Sequence, residues 1–428
     1  MGSVLLLVIY FMGALSDEEQ PRRRLNPKCV AVRKPIKRSL MARRAPVHIK
    51  KHPPSVKQHQ HMKEMATPSA NLSHCDANSP LESNVSLLCD FDVWFCGYPI
   101  GKAVMRAVFE GCNFRELTAK TTEESLRASA KKGGIWFTSG GSILCKSVDK
   151  VARAGLTVVD YDVEHGENFY LTPRPFWPYR PKKIVYLGVN ETAYVTRQAL
   201  EKWGLNVPAS RQIFLSVAAG TVVYGNISAQ TLLEPRRKES KKRNTFLVYA
   251  QDRNEKHRQL AYDAIVDFCL ESGLPSPIAL GLCYGSKPQT WRPFNQKHDN
   301  VLSVDNKRST RFVLTMENFL DISGRVSEKL IDAYLAGAIA VYAGPPGVEH
   351  IFNTEALVWI DPQNPGPGLQ KLRALETNQT LYDYVRSQPL LTDGLKTLNK
   401  YFSLTDHLGD GSLKKQIRQL VDCVRTAK

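Results

Sequence analysis

No two cysteines of the chain have the Cys-x-x-Cys spacing, although it contains nine cysteines in 428 residues. Structural zinc sites usually take ligands from such closely spaced pairs, so this absence argues against a zinc-binding module. The thiols are then either disulfides of an oxidising compartment or buried free cysteines, and their spacing does not choose between these alternatives. The disulfide pairing is left open.

Aromatic residues are missing from the two basic segments of the chain. Residues 17–66 contain fourteen Lys and Arg against four Asp and Glu, and residues 236–243 contain six against one. Most of the net charge of +17 therefore lies in these segments. Basic surfaces that bind nucleic acid usually carry aromatic residues or a known motif, and neither is present. We predict a solvated tail and a surface loop, with no nucleic-acid partner.

A hydrophobic run of full membrane-spanning length is also missing at the start of the chain. Residues 1–16 are uncharged, but a helix of this length spans only about 24 Å, against roughly 30 Å for a hydrocarbon core. The segment is either a cleaved signal peptide or a short signal-anchor for a thin membrane. The basic residues follow it, which opposes a cytoplasmic N-terminus. Both alternatives predict entry into the secretory pathway.

Acceptor sequences for N-glycosylation agree with that compartment. The candidates are Asn71, Asn84, Asn226 and Asn378, and a fifth Asn-x-Ser/Thr sequence begins at Asn190. A chain of this length contains a few such sequences by chance, so they support the secretory pathway only moderately.

The composition divides the chain into a stem and a folded part. Residues 17–88 are rich in Pro, Ser and basic residues, with few large apolar residues, which predicts a largely disordered stem. From residue 89 apolar runs alternate with helical patterns, which predicts parallel sheets covered by helices. We predict two Rossmann-like α/β domains facing a cleft, over residues 89–235 and 244–385, with a helical tail over 386–428.

Individual segments carry this prediction. The predicted strands are "GGIWFTSGG", "LTVVDYDV", "KKIVYLGV", "TFLVYA", "IALGL", "RFVLTM", "AIAVYAG" and "ALVWID". The predicted helices are "ETAYVTRQALEKWG", "EKHRQLAYDAIVDFCLES", "SEKLIDAYLAG" and "SLKKQIRQLVDCVRTA".

One strand–loop–helix segment places ionisable residues where ligands commonly bind. The apolar run 312–316 predicts a buried strand, so Glu317 and Asn318 lie at its carboxyl end, the edge at which open α/β sheets bind ligands. Ser327 is a good N-cap, which places Glu328 and Lys329 in the first turn of the next helix.

The N-terminus of that helix is a candidate phosphate site. Its free N–H groups and partial positive charge favour an anion, whereas a lysine in the first turn is unfavourable for the helix dipole. An anion bound beside Lys329 would remove that cost. The segment therefore predicts a nucleotide or phosphate site, with an ordinary solvated first turn as the alternative.

The order of these residues resembles the donor-binding signature of the α1,3-fucosyltransferase family. That signature is Phe-Glu-Asn-Ser, a spacer, Tyr-Val-Thr-Glu-Lys opening a helix, and a Pro-Val-Tyr-x-Gly-x-Pro strand and turn; here the matching pieces are "MEN", "VSEK" and "AVYAGPP". Looser likenesses in "NTFLVYAQDRNEKHRQL", "KKIVYLGVNETA" and "IFLSVAAGTVVYGN" extend the resemblance over about residues 180–362. It implies an inverting transferase of GT-B architecture that moves fucose from GDP-fucose to a GlcNAc-containing glycan or glycoprotein in α1,3 linkage.

The resemblance also implies roles for donor-site residues. Arg253 and Lys329 would contact the GDP diphosphate and offset the charge of the leaving group. Asn318 and Glu328 would bind hydroxyls of the donor sugar or ribose, and Glu317 would brace the loop. Cations in these positions supply the charge stabilisation that the chemistry needs, so no metal is required, although stimulation by Mn²⁺ or Mg²⁺ is left open.

The general base implied by the resemblance is Glu191, which would take the proton of the acceptor hydroxyl. It lies inside the sequon that begins at Asn190, where a glycan would crowd an active site. Either Asn190 is unmodified or another carboxylate is the base, with Glu164 and Glu167 as substitutes.

Three departures from the family pattern keep other functions open. Met316 replaces Phe, Phe319 replaces Ser, and Arg325 stands where Tyr is usual. Arg325 is a candidate donor-binding residue, through a phosphate or the base, or it marks a changed donor pocket. The alternatives are a related GT-B transferase with another nucleotide sugar, and an inactive glycan- or nucleotide-binding homologue.

Two Asp-x-Asp triplets, at 90–92 and 160–162, suggest a rival hypothesis of a manganese-dependent GT-A transferase, but their surroundings do not match that context.

The family resemblance also predicts a cell location, that of a single-pass type II protein of the Golgi membrane with a lumenal catalytic domain. Cleavage of residues 1–16 would make it a secreted or ER-lumenal protein. The oligomeric state is left open.

Overall fold

Parallel strands form the framework of the molecule. The structure, a computed structural model, describes residues 75, 89–139, 148–161, 182–188, 207–236, 245–250, 255–280, 310–318, 320 and 324–427. The strands in this part of the chain are β1 (Asp92–Gly97), β2 (Asn113–Glu116), β3 (Ile135–Ser139), β4 (Thr157–Tyr161), β5 (Ile184–Gly188), β6 (Gln212–Phe214), β7 (Thr245–Ala250), β8 (Ile278–Leu280), β9 (Thr310–Met316), β10 (Ile339–Ala343) and β11 (Leu357–Trp359).

Helices connect and cover these strands. Those described are α1 (Pro99–Val108), α2 (Glu123–Lys131), α3 (Val148–Ala154), α4 (Val217–Tyr224), α5 (Ala229–Leu233), α6 (Lys256–Ser272), α7 (Glu328–Leu335), α8 (Gly366–Thr377), α9 (Gln379–Ser387), α10 (Leu395–Tyr401) and α11 (Ser412–Thr426).

The strands assemble into two parallel sheets. The first has the order β2-β1-β3-β4-β5-β6, and the second has the order β11-β10-β9-β7-β8. Every registered pair of neighbouring strands is parallel. Strands β3, β4, β5 and β10 are buried along their whole length, as expected for parallel strands covered on both faces, whose sequences are continuous apolar runs. The predicted α/β fold class with two parallel sheets is confirmed.

The predicted elements agree with this topology. All eight predicted strands are present, as β3, β4, β5 and β7 to β11, and three of the four predicted helices are α6, α7 and α11. The fourth, over residues 191–204, lies outside the described residues, as do residues 1–16 and the stem apart from Cys75. The domain limits themselves stay predictions.

One apolar core joins the two sheets. Val159 and Leu187 of the first sheet belong to the same contiguous cluster as Leu330 of α7 and Tyr342 of β10. The backbone N–H of Ala218 in α4 also donates to the carbonyl of Val326, which precedes α7, at 3.1 Å. The start of α7 is therefore packed against the first sheet's helices.

The C-terminal helix returns to the first sheet. Helix α11 contacts α1, β4 and β5, and a disulfide joins Cys423 in α11 to Cys75, ahead of β1. The Lys183 ammonium donates to the carbonyl of Arg425 at 2.9 Å. The predicted packed helix in the tail is confirmed. None of the described helices combines the length and the apolar character that crossing a bilayer would need.

Candidate functional site

The side chain of Glu317 is a buried carboxylate at the carboxyl end of β9, with 1% of its surface exposed. Its Oε1 atom accepts hydrogen bonds from the Ser327 N–H at 3.0 Å and the Ser327 hydroxyl at 3.1 Å. The Tyr342 hydroxyl donates to the same oxygen at 3.4 Å. The Glu317 N–H donates to the carbonyl of Ala343, at the end of β10, at 2.9 Å. The carboxylate thus ties the end of β9 to the start of α7.

Ser327 begins α7 as the sequence predicts, because its hydroxyl accepts a hydrogen bond from the Lys329 N–H. The Lys329 ammonium lies 2.8 Å from the Ser327 Oγ and 3.3 Å from the Glu328 Oε1. It lies 3.8 Å from the Glu317 Oε2. Neighbouring acids therefore offset the unfavourable placement of a lysine at this end of the helix dipole. Both the Lys329 and Glu328 side chains are about a quarter exposed, at 26% and 27%, so they remain open to a ligand.

A second helix reaches the same strand end. Near the start of α6, the Nε2 atom of His257 lies 2.9 Å from the Glu317 carbonyl, and the Arg258 Nε donates to that carbonyl at 3.2 Å. Because a carbonyl only accepts, His257 carries its proton on Nε2 here. Arg258 also donates to the Met316 carbonyl at 3.1 Å and to the Asn318 side-chain oxygen.

Arg258 is a buried cation in this position, with 4% of its surface exposed. Burial lowers the pKa of its guanidinium, while the neighbouring Tyr249, Glu317, Glu255 and Glu328 raise it. The arginine still keeps its charge, because its ordinary pKa lies so far above neutral. A fixed positive charge is therefore held beside Asn318.

The N-termini of α6 and α7 both lie at the carboxyl end of β9. In the second sheet β7 has β8 on one side and β9 on the other, so the order of the strands reverses between β7 and β9. Ligands of open α/β sheets bind outside the carboxyl ends of strands at such a switch point. Two helix N-termini, each carrying the partial positive charge of its helix dipole, form a suitable cradle for a diphosphate there.

Gly324, three residues ahead of Ser327, contacts elements of both sheets. Gly324 has a φ of 72°, which a glycine adopts without strain. Its N–H donates to the Pro346 carbonyl at 2.8 Å, and a Cβ on it would stand 3.3 Å from the ring of Phe214, in β6 of the first sheet. Arg325 is 4% exposed and acts electrostatically on Tyr342. It therefore lies beneath the site rather than on its surface.

Other predicted site residues lie outside the described part of the chain. These are Glu191 with its substitutes Glu164 and Glu167, and also Arg253, Phe319 and Asn190. The described residues bring together Glu317, Asn318, Arg325, Glu328 and Lys329 of the predicted set. Their roles stay predictions.

Sequence reasoning missed three residues of the site, namely His257, Arg258 and Tyr342. The first two stand in the first turn of a helix that follows a strand, as Glu328 and Lys329 do. The signal that could have found His257 and Arg258 is this repeated arrangement of a buried strand followed by basic residues at a helix start.

The described Asp-x-Asp aspartates do not form a metal site. Asp92 begins β1, at the edge opposite the carboxyl ends, and its Oδ1 lies 2.9 Å from the Arg115 Nε. Asp90 lies 3.8 Å from an Arg425 nitrogen, and Asp162 lies outside the described residues. No group of three or more His, Cys, Asp or Glu side chains suited to a metal occurs among the described residues.

Two glycosylation candidates are described, and both Asn226 and Asn378 are exposed. The Asn378 side-chain oxygen accepts a hydrogen bond from the Leu381 N–H and caps α9. Asn71 and Asn84 lie outside the described residues.

Two disulfides are described, Cys75–Cys423 and Cys89–Cys112.

Comparison with known proteins gives matches only among solved structures. No protein-family model matches the chain, and no curated protein sequence matches it significantly. A crystal structure of an α1,3-fucosyltransferase is similar with a TM-score of 0.47 and 13% identity, over 81% of this chain and 95% of that one. The same kind of enzyme with GDP-fucose gives a TM-score of 0.47 and 13% identity, over 81% and 94%. An α-glucosyltransferase with UDP and DNA gives 0.48 and 10%, over 73% and 95%.

Proposed function

We propose that this protein is an inverting glycosyltransferase that transfers fucose from GDP-fucose to a GlcNAc-containing glycan in α1,3 linkage. The observation that carries the proposal is the meeting of two helix N-termini, Lys329 and Arg258 at the carboxyl end of β9. The resemblance of residues 316–346 to the family's donor-binding signature supports the same conclusion, because the described part of that signature occupies this edge.

The cations would bind the diphosphate. Departure of GDP from the anomeric carbon develops negative charge on the diphosphate, which fixed donors and cations stabilise without rearranging. Lys329 at the start of α7 contacts the capping residue Ser327, and Arg258 at the start of α6 donates to the Met316 carbonyl at the end of β9. Arg253 would add to this set. The reaction then needs no metal ion, so turnover is expected to persist with a chelator, at a lower rate if Mn²⁺ or Mg²⁺ stimulates it.

Asn318 and Glu328 would bind hydroxyl groups of the donor. Arg258 donates to the Asn318 side-chain oxygen, which leaves the amide nitrogen of that side chain as the donor towards a ligand. Glu328 accepts from Lys329 and is partly exposed, so its carboxylate remains available to a sugar or ribose hydroxyl.

Glu191 would supply the general base. An inverting displacement requires the acceptor hydroxyl to lose its proton as the bond to the anomeric carbon forms, and one carboxylate suffices for this. If Asn190 carries a glycan, Glu164 or Glu167 takes this role.

The direct test is transfer by the full-length chain. Incubation with GDP-fucose and an array of glycans is expected to fucosylate GlcNAc-containing members, with the linkage and anomeric configuration read by NMR. Transfer from a different nucleotide sugar, and not from GDP-fucose, would replace the donor assignment. Binding of GDP without transfer to any acceptor would identify an inactive homologue.

The buried Arg325 supports the alternative function, a related GT-B transferase that uses another nucleotide sugar. An arginine beneath the site, where the family pattern has tyrosine, changes the charge next to Tyr342. Rates of hydrolysis measured in parallel for GDP-fucose and other GDP- and UDP-sugars separate the two assignments.

The secretory pathway is the proposed location, with the Golgi membrane as the site of a type II protein. Disulfides persist in oxidising compartments and are rare in the cytosol, so Cys75–Cys423 and Cys89–Cys112 support this location. Fluorescence microscopy of the tagged full chain tests it, with a diffuse cytosolic signal as the contrary result.

A further inference from the structure

The hydroxyl of Tyr342 is fixed beneath the candidate diphosphate site. The residue is fully buried in β10, and its ring meets Trp359 edge to face with centroids 5.5 Å apart. A Cβ on Gly344 would stand 2.1 Å from the Tyr342 hydroxyl oxygen, so only a glycine leaves that oxygen in place. The hydroxyl lies 3.4 Å from the Glu317 Oε1. A carboxylate only accepts, so the tyrosine is the donor.

Burial and the nearby Glu317 raise the pKa of Tyr342 well above its ordinary value. The hydroxyl therefore stays protonated at every physiological pH and donates permanently.

Glu317 divides its two oxygens between neutral donors and a cation. Oε1 receives the Ser327 N–H, the Ser327 hydroxyl and the Tyr342 hydroxyl. Oε2 lies 3.8 Å from the Lys329 ammonium, beyond direct hydrogen-bond distance. The neutral donors thus stabilise the buried carboxylate, and Lys329 is not its principal partner.

We propose that Tyr342 is a positioning residue that keeps Lys329 available for an anionic ligand, a nucleoside diphosphate in the reaction proposed above. While Tyr342 and Ser327 hold Glu317, Lys329 can exchange its contacts with Ser327 and Glu328 for phosphate oxygens. Without the hydroxyl, Glu317 is left with one donor fewer in a buried place, where unmet hydrogen-bonding capacity is costly. Lys329 then moves towards Glu317 and binds the diphosphate less well.

The test is a double-mutant cycle on GDP affinity, measured by calorimetry on the full chain. Tyr342→Phe is expected to weaken GDP binding by roughly tenfold, the scale of one hydrogen bond to a charged group. In a Lys329→Met background the same change is expected to alter affinity by less than about twofold, because the effect acts through the lysine.

Tyr382→Phe is the matched control. Tyr382 is also a buried tyrosine, in α9, and its hydroxyl donates to the Arg311 carbonyl at the same distance of 3.4 Å. The GDP affinity of the Tyr382→Phe variant is expected to equal that of the wild type. Gly344→Ala is a second variant, to be used if Tyr342→Phe does not fold. It displaces the Tyr342 hydroxyl without deleting it and should weaken GDP binding in the same way.

Two results would overturn the inference while leaving the proposed function in place. One is wild-type GDP affinity in a folded Tyr342→Phe variant. The other is an equal loss of affinity with and without Lys329, which would make the role of Tyr342 purely structural. Absence of GDP binding by the wild-type chain is a different outcome, and it would overturn the proposed donor site together with this inference.

Discussion

At the scale of single residues, the Lys329 ammonium shares its contacts among Ser327, Glu328 and Glu317. Lys329→Ala should weaken GDP binding by about 1.5–3 kcal/mol, the range for a hydrogen bond to a charged group. Calorimetric titration with GDP measures this. Lys396→Ala is a suitable control, since Lys396 also lies in a first helical turn, 3.8 Å from Asp393, but on α10. Equal affinities of Lys329→Ala and the wild type would remove this lysine from the diphosphate site.

A second single-residue prediction concerns the proposed base. Glu191→Gln should bind GDP normally and slow transfer by about 10²- to 10⁴-fold, because the amide cannot take the acceptor proton. Turnover with a saturating acceptor and a separate GDP titration distinguish the two effects. A fully active variant would move the role to Glu164 or Glu167, whose Gln variants can be assayed in the same way.

The sequence locates some site residues and not others for a physical reason. Glu317 and Ser327 are found from local patterns, because a buried strand and a capped helix leave signals within a few residues. Arg258 contacts Glu317 across 59 residues of sequence, and Tyr342 does so across 25. Such contacts depend on the order of strands in the sheet, which hydrophobic periodicity does not specify.

At the scale of elements, the N-terminus of α7 joins stability to ligand binding. Ser327→Ala removes the cap of α7 and the hydroxyl donor to Glu317 but keeps the backbone N–H donor, so it should lower the free energy of unfolding by about 1–3 kcal/mol and weaken GDP binding as well. Denaturant unfolding and GDP titration measure the two effects.

Thr122→Ala provides the matched element-scale control. Thr122 caps α2 through a hydrogen bond from the Ser125 N–H at 3.2 Å, and Leu126 of α2 packs in an apolar cluster with Trp94 and Trp136 of the first sheet. Its loss should lower stability by about 1 kcal/mol and leave GDP affinity unchanged. If Ser327→Ala also kept wild-type affinity, the start of α7 would be an ordinary capped helix and no part of the donor site.

The existence of the elements was easier to predict than their assembly. Continuous apolar runs such as β10 predict buried parallel strands, and Ser327 predicts the start of α7 within one residue. The hydrogen bond from Ala218 to Val326, which packs the start of α7 against α4, has no local signal in the sequence. Long-range packing of this kind decides which helix ends surround the site.

At the scale of the whole molecule, the disulfide between Cys423 of α11 and Cys75, a residue of the predicted stem, joins positions 348 residues apart. Cys75→Ala/Cys423→Ala should lower the free energy of unfolding by about 2–5 kcal/mol, because a long closed loop restricts the unfolded chain most. GDP affinity should not change, since α11 packs on the first sheet and the candidate donor site lies on the second.

Cys89→Ala/Cys112→Ala is the comparison for that variant. This disulfide closes only 23 residues, so its removal should cost less stability in the same denaturant experiment. Loss of GDP affinity in the Cys75→Ala/Cys423→Ala variant would show instead that the tail helix contributes to the candidate site.

The most direct measurement is a crystal structure of the protein with GDP. The diphosphate should lie at the carboxyl end of β9 between the starts of α6 and α7, with the Lys329 ammonium moved from Ser327 to a phosphate oxygen and Glu317 unmoved. GDP bound elsewhere, or no GDP at concentrations that saturate a nucleotide-sugar enzyme, would contradict the assignment of this edge as a donor site.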